Sequence, residues 1–421
     1  MPSNTMAGQR KLSSSFPITL SVRPLPASPA IPVSELELRI DRLRVEMRKS
    51  EVDIIILTDP NNIQYFTGFR SLSLINKTRP NLALLTDERV VFIGSLSEGK
   101  YLEGLPPAFS SVQYLGYLAE AVDTLADQIS AIPATTCKRI AVDYGQDMLG
   151  HGSLQLIEII KDHSADRSIK SAVDILWRVR LIKTRFEAKM KKTGFEIINR
   201  SFDQAIQHAH VGISELELYR IMQAQIFLNG AESSDPMPML FSDGDSSYSR
   251  WPSDRKLKDG HYIWVDFNAT YGGYPTDRNR IARCGEPKNW EVETYRRVRE
   301  LTIEIAEGVK PGLRSCDIHG QFKRLWKEAG LGNAYGLVTR IGHGSGLDML
   351  EPPSISATDE TVLEAGMILH VEPKLEKDGC VFQFEEVVYL RDHGVELLSE
   401  LSPKQIPVVG RAQDNFKMPE C

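Results

Sequence analysis

Two pairs of acidic residues and one histidine stand out in the second half of the chain: Asp266 with Asp277, Glu372 with Glu385, and His343. Asp266 interrupts the apolar run YIWVDF, where a carboxylate is costly unless it is paired or ligating. Asp277 follows eleven residues later, across a glycine-containing turn whose expected centre is Tyr271-Gly272. A regular antiparallel hairpin centred there sets the two aspartates directly opposite one another, with Cβ atoms roughly 4.5–5.5 Å apart. Facing carboxylates repel, so such a pair needs a cation or a shared proton. The segment GMILHVEPKLEKDGCVFQFEEVVYL repeats that geometry. Glu372 and Glu385 are thirteen residues apart with Asp378-Gly379 at their midpoint, and Asp-Gly is a strong two-residue hairpin signal. His343 lies between glycines in TRIGHGSGLDMLEPPS, and glycine lets backbone approach a site closely. Four carboxylates and one imidazole suit Mn²⁺, Fe²⁺, Co²⁺ or Zn²⁺. Carboxylates that bridge two such ions hold them about 3.5–4 Å apart, with a water between them as nucleophile.

The elements that must position these residues fall into two groups. Residues 1–32 are rich in Ser and Pro and lack periodicity, which predicts a flexible tail. The run SELELRIDRLRVEMRKS then spaces Leu36, Ile40, Leu43 and Met47 as one face of a helix, with Ser34 as its N-cap. Strand signals follow in VDIIILTD, LALLTD, VVFIG and RIAVD, separated by helical stretches such as 118–132. That alternation predicts an α/β domain over 33–176. The stretch LIKTRFEAKMKKTGFEIINRSFDQAIQHA opens a second domain over 177–421. Helices are expected around 186–210, 214–229 and 291–308, followed by long strands with turn signals. This is an α+β pattern with antiparallel sheet.

Composition narrows the class of function. A hydrophobic fraction of 42% and a charged fraction of 25% are those of an ordinary globular protein. The net charge of −6 argues against nucleic acid or an anionic membrane as the main partner. The five cysteines are scattered, odd in number and form no CxxC pair, which predicts reduced intracellular thiols. No apolar run approaches the ~18 residues needed to span a bilayer. The stretch 13–22 is broken by serines and a proline, a poor signal peptide. A cytoplasmic location is expected.

The segments VDFNATYGGYPTDRNR, GHGSGL, HVEP and FEEVV resemble the pita-bread metallopeptidase superfamily, which includes methionine aminopeptidase, aminopeptidase P, prolidase, creatinase and ectoine hydrolase. DPNNIQYFTGF resembles the start of the N-terminal domain of its prolidase- and creatinase-like members, and VRLIKTRFEAKMKKTGFEI the entry to their catalytic domain. The resemblance spans about 35–405. It implies two divalent metal ions, Mn²⁺ first among those named above. Asp266 would chelate one metal, His343 and Glu372 would hold the other, and Asp277 and Glu385 would bridge. Glu372 would also shuttle the proton, and Glu386 would support the ligands from behind. A homodimer is implied, with the N-terminal domain of one subunit helping to close the other's pocket.

The departures from that family shape the expected reaction. Peptidase members carry a second histidine seven residues after the ligand histidine, where this chain has Leu350. They often carry another before the first metal strand, where the register gives Ser249. Those histidines bind substrate and stabilise the tetrahedral intermediate. Their replacement predicts an ectoine-hydrolase- or creatinase-like enzyme that hydrolyses a non-aromatic C–N bond, amide or amidine, in a small metabolite. The alternatives are an Xaa-Pro dipeptidase or aminopeptidase, a metal-dependent lyase resembling dimethylsulfoniopropionate lyase, and a non-catalytic pita-bread interaction module. Candidate substrate contacts are Arg79 and Arg340, as carboxylate holders, with Tyr248, Trp251 and Leu350 as pocket walls. Asp348 and Glu351, beside His343, are candidate acids or orienting groups.

Overall fold

The computed structural model describes residues 27–410, apart from 76–78, 101–110, 119, 136, 145–153, 165, 243–249 and 333–338. The predicted tail lies largely outside the described residues. Of its last residues, Ser28 donates to Glu232 at 2.5 Å and accepts from Arg70 at 3.2 Å.

The N-terminal α/β unit is built on six strands: β1 Ile54–Leu57, β2 Leu82–Leu85, β3 Val90–Ser95, β4 Val112–Tyr117, β5 Arg139–Val142 and β6 Ser168–Ser171. Their order is β4-β3-β2-β1-β5-β6. The pairs β1/β5, β5/β6 and β3/β4 are parallel, while β1/β2 and β2/β3 are antiparallel. The central strand β1 is the fully buried run IIIL, as a strand covered on both faces requires. The covering helices are α1 Val33–Lys49, α2 Pro60–Thr67, α3 Ala121–Ser130 and α4 Leu154–His163, with α5 Val173–Arg180 leading out. Helix α1 buries Leu36, Ile40, Leu43 and Met47 as its periodicity predicts. Its N-cap is Pro32, so Ser34 lies inside the helix rather than capping it.

The catalytic-type unit opens with α6 Arg185–Gln207 and α7 Glu215–Leu228, while α8 Asn289–Gly308 and α9 Ser315–Glu328 follow its first strands, so the helices do not all precede the strands as expected. Its strands are β7 Met239–Ser242, β8 Tyr262–Phe267, β9 Thr270–Tyr271, β10 Tyr274–Pro275, β11 Arg278–Arg283, β12 Arg340–Gly344, β13 Glu351–Ser356, β14 Ile368–Val371, β15 Lys374–Lys377, β16 Cys380–Gln383, β17 Glu386–Leu390 and β18 Val395–Leu397. They form the orders β11-β8-β7 and β13-β12-β14-β17-β18, with the hairpins β9/β10 and β15/β16 projecting from them. All their pairings are antiparallel. Alternation along β8 explains why it can run between two cores. Ile263, Val265 and Phe267 join one hydrophobic cluster, and Tyr262 and Trp264 join the other.

The first hairpin corrects the expected pairing. Its centre is Gly272-Gly273, one residue later than predicted, because Tyr271 pairs with Tyr274. Both glycines take positive φ, 63° and 81°, as a tight two-residue hairpin turn demands. In that register Asp266 pairs with Asn279, not with Asp277. Asp277 stands two residues from Asn279, so it is the diagonal neighbour of Asp266 on the same face. The second hairpin turns at Asp378-Gly379, with φ of 51° and 77°. Lys377 pairs with Cys380 and Val371 with Glu386, so one register runs through both strand pairs and sets Glu372 opposite Glu385.

Candidate metal centre

The two hairpins and β12 bring all five predicted residues together. Single carboxylate oxygens of Asp266, Asp277 and Glu385 lie within 4.8 Å of one another. His343 points Nε2 at the same cluster, 3.5 Å from Asp277 Oδ2 and 3.6 Å from Glu372 Oε1. Its Nδ1 lies 2.8 Å from the Gly344 carbonyl. A carbonyl can only accept, so Nδ1 carries the proton and Nε2 offers a lone pair to the carboxylate cluster. The flanking glycines are needed for close packing. A Cβ at Gly342 would stand 2.0 Å from the His370 carbonyl, and one at Gly344 would stand 2.0 Å from the Pro352 carbonyl.

Supporting contacts hold the carboxylates in place. Gln383 Nε2 donates to Glu372 Oε2 at 3.2 Å, and Trp264 Nε1 donates to Gln383 Oε1 at 2.9 Å. Buried His370 holds Glu385, with Nδ1 2.6 Å from Oε1. The His370 ring stacks on that of His343, centroids 4.8 Å apart and planes at 15°. His343, His370 and Glu385 therefore form a second close group of ligand-type atoms. Sequence reasoning missed His370. The signal was its place two residues before Glu372, which in a strand puts both on one face. Behind the cluster, buried Lys191 of α6 donates to the Pro275 carbonyl and to Ser345 Oγ.

The electrostatics ask for cations. Burial pushes the Asp266 carboxyl well above the usual range, and the Asp277 and Glu372 charges push it further. Burial does the same to Glu385, with Asp277, Glu372 and Asp266 adding to it. Burial also raises Glu372; Asp277 adds to this and His343 opposes it. Burial disfavours a charged His343, but Asp277 and Glu372 beside it win and raise its pKa. Asp266 Oδ1 and Glu385 Oε2 are buried with no hydrogen-bond partner among the described residues. Buried charges are normally paired or coordinate a metal. Orphaned lone pairs inside a ring of repelling carboxylates fit divalent cations, which would supply the missing charge.

The remaining candidates scatter. Glu386 turns away from the cluster; it accepts from Ser402 N at 2.9 Å and lies 3.6 Å from the Arg278 guanidinium. Trp251 lines a cavity of about 470 Å³ with Trp264, Met237 and Asp266. Arg340 opens β12, and its charge draws Glu372 down. Arg79 is exposed in the N-terminal unit, where its charge acts on Tyr117. Leu350 is 50% exposed, at the end of the loop before β13. Tyr248 and Ser249 lie outside the described residues. Asp348 and Glu351 serve as anchors. Arg180 Nη2 donates to Asp348 at 2.5 Å and to Glu351 at 2.8 Å, and Lys183 Nζ donates to Glu351 at 2.6 Å.

Residues 188–392 match the family described as Metallopeptidase family M24, and residues 39–182 match the Creatinase/Prolidase N-terminal domain. A Xaa-Pro dipeptidase of Pyrococcus furiosus is 25% identical over 372 residues, which cover 86% of this chain and 97% of that protein. Among solved structures, a Xaa-Pro dipeptidase from Bacillus anthracis superposes with a TM-score of 0.76 at 24% identity, covering 89% of this chain and 99% of the other. The prolidase of Pyrococcus horikoshii gives a TM-score of 0.74 at 21% identity, covering 88% and 100%. These two share the fold. With both units matched in order, the chain belongs to the pita-bread M24 metallopeptidase superfamily and carries a creatinase/prolidase-type N-terminal domain.

Proposed function

We propose that this chain is a dinuclear metallopeptidase acting on dipeptide-sized amides, with Xaa-Pro dipeptides as its first substrate class. One observation carries the reading: four carboxylates and the Nε2 of His343 converge, and two of the carboxylate oxygens are buried without partners among the described residues. In this reading Asp266, Asp277, His343, Glu372 and Glu385 hold two divalent ions. A carboxylate-rich set with a single ligating imidazole favours Mn²⁺ among the candidates. The ions, when bound, supply Lewis acidity and lower the pKa of water. Glu372, steadied by Gln383, moves the proton from water to the leaving nitrogen. His370 fixes Glu385 through Oε1 and leaves Oε2 for coordination. The similarity to the Pyrococcus furiosus Xaa-Pro dipeptidase favours a peptidase over the ectoine-hydrolase- or creatinase-like expectation. The same reading includes a homodimer and a cytoplasmic location, which sedimentation and cell fractionation test.

A second reading, hydrolysis of a small-metabolite amide or amidine, is favoured by Leu350. An apolar, half-exposed side chain stands where the peptidase motif places a substrate-binding histidine. The test is a substrate screen with Mn²⁺-loaded protein. Release of free proline from Xaa-Pro dipeptides supports the peptidase. Turnover of ectoines or guanidino acids with no proline release selects the second reading.

A further inference from the structure

Lys374 lies two residues beyond Glu372, directly opposite Gln383 in the β15/β16 pair. It is 8% exposed; burial lowers its pKa, and the charges of Glu376, Glu372 and Asp266 oppose that. Its Nζ stands 5.9 Å from the centre of the Trp264 ring and 3.7 Å from Glu376 Oε1. Trp264 is a wall of the cavity that reaches Asp266. It also donates to Gln383, which donates to Glu372. Trp264, Gln383 and Lys374 thus form a row beside the acidic row, with the Lys374 amine in it.

The spacing suits a particular ligand. Two residues along a strand span roughly 6.5–7 Å. In a dipeptide the terminal carboxylate follows the scissile carbon by one residue, roughly 3.6 Å at full extension. A charge-assisted hydrogen bond adds roughly 2.8 Å. The sum is close to the distance between the rows.

We propose that Lys374 is a specificity residue that takes the free carboxylate of the substrate, with the Trp264 face lying under the group between that carboxylate and the scissile amide. The substrate class is then small amides bearing a free carboxylate one residue beyond the scissile bond. Capped or longer peptides are excluded. This rests on the hydrolytic reading for the identity of the scissile bond. The cation subsite itself does not.

Binding tests the subsite without turnover. Calorimetry on Mn²⁺-loaded protein would compare proline, which carries the carboxylate but no scissile amide, with prolinamide. Wild type should bind the carboxylate at least tenfold more tightly than the amide. Lys374→Met should bind both alike, and Lys374→Arg should restore the preference. Equal binding of the two ligands by wild type overturns the proposal, even if Lys374→Met fails to fold. A tenfold preference that survives in folded Lys374→Met overturns it as well. A preference that depends on Lys374, in a protein that hydrolyses no dipeptide, upholds the subsite and removes the peptidase reading.

Discussion

Asp277 stands near every other member of the acidic cluster, and its charge is a leading cause of the raised carboxyls at Asp266 and Glu385. Replacing it therefore has two opposite effects. Loss of even an outer-shell partner of a metal ligand weakens metal affinity or activity by about 10–100-fold. Asp277→Ala, which removes a ligand of the proposed metal site, should lower dipeptide turnover by more than about 100-fold. It also relieves like-charge repulsion, so the metal-free variant should melt no lower than metal-free wild type. Calorimetric melting after chelation checks this. The proposed ligands were legible because Asp266 stands out inside an apolar strand and the turn signals pointed to the other acids. His370 was not, because a histidine in an apolar run also reads as ordinary core. Only its contact with Glu385 shows what it does. Lys374 was equally silent: its meaning depends on Trp264, from a strand far away in sequence.

At the scale of elements, the first hairpin shows why a site can be read from an inexact register. The turn centre lies one residue from its expected place, which shifts every cross-strand partner by two. Side chains alternate with a period of two, so the shift leaves Asp266 and Asp277 on one face. The edge strands were harder to read. β6 is the polar run SIKS, and β4 is half exposed, so neither shows an apolar signature. Lys191 joins elements that sequence order keeps apart. From α6 it ties Pro275, two residues before Asp277, to Ser345, two residues after His343. Lys191→Met should weaken Mn²⁺ binding by about 10–100-fold, as loss of an outer-shell contact does. Titration calorimetry on protein of unchanged circular dichroism reads the effect. Unchanged affinity would show that the tie is dispensable.

For the whole molecule, buried ion pairs lock the N-terminal unit to the segment that follows His343, between β12 and β13. Arg180, at the end of α5, and Lys183 both bind Glu351, and Asn61 of α2 donates to Asp348 at 2.5 Å. Burial alone would raise the Glu351 carboxyl; Lys183 and Arg180 reverse that and hold it at about 2. Removing one partner of a buried pair strands the other, at a cost of about 3–5 kcal/mol. Glu351→Gln should destabilise by that order in urea unfolding at neutral pH. The folded pKa lies below the unfolded value of about 4.3. The stabilisation is therefore complete above about pH 4.3 and is lost as pH falls through about 2. The gap between wild type and Glu351→Gln should close over that window.

The two-domain order was legible because long apolar strands and periodic helices carry it. No helix among the described residues is long and apolar enough to cross a membrane. The acidic hairpins are proposed to hold two divalent ions. Mn²⁺ titration of chelator-stripped protein, followed by elemental analysis of the dialysed product, tests this most directly. Two ions per wild-type chain are expected, and fewer in Asp277→Ala. A wild-type chain that retains no stoichiometric metal would contradict it.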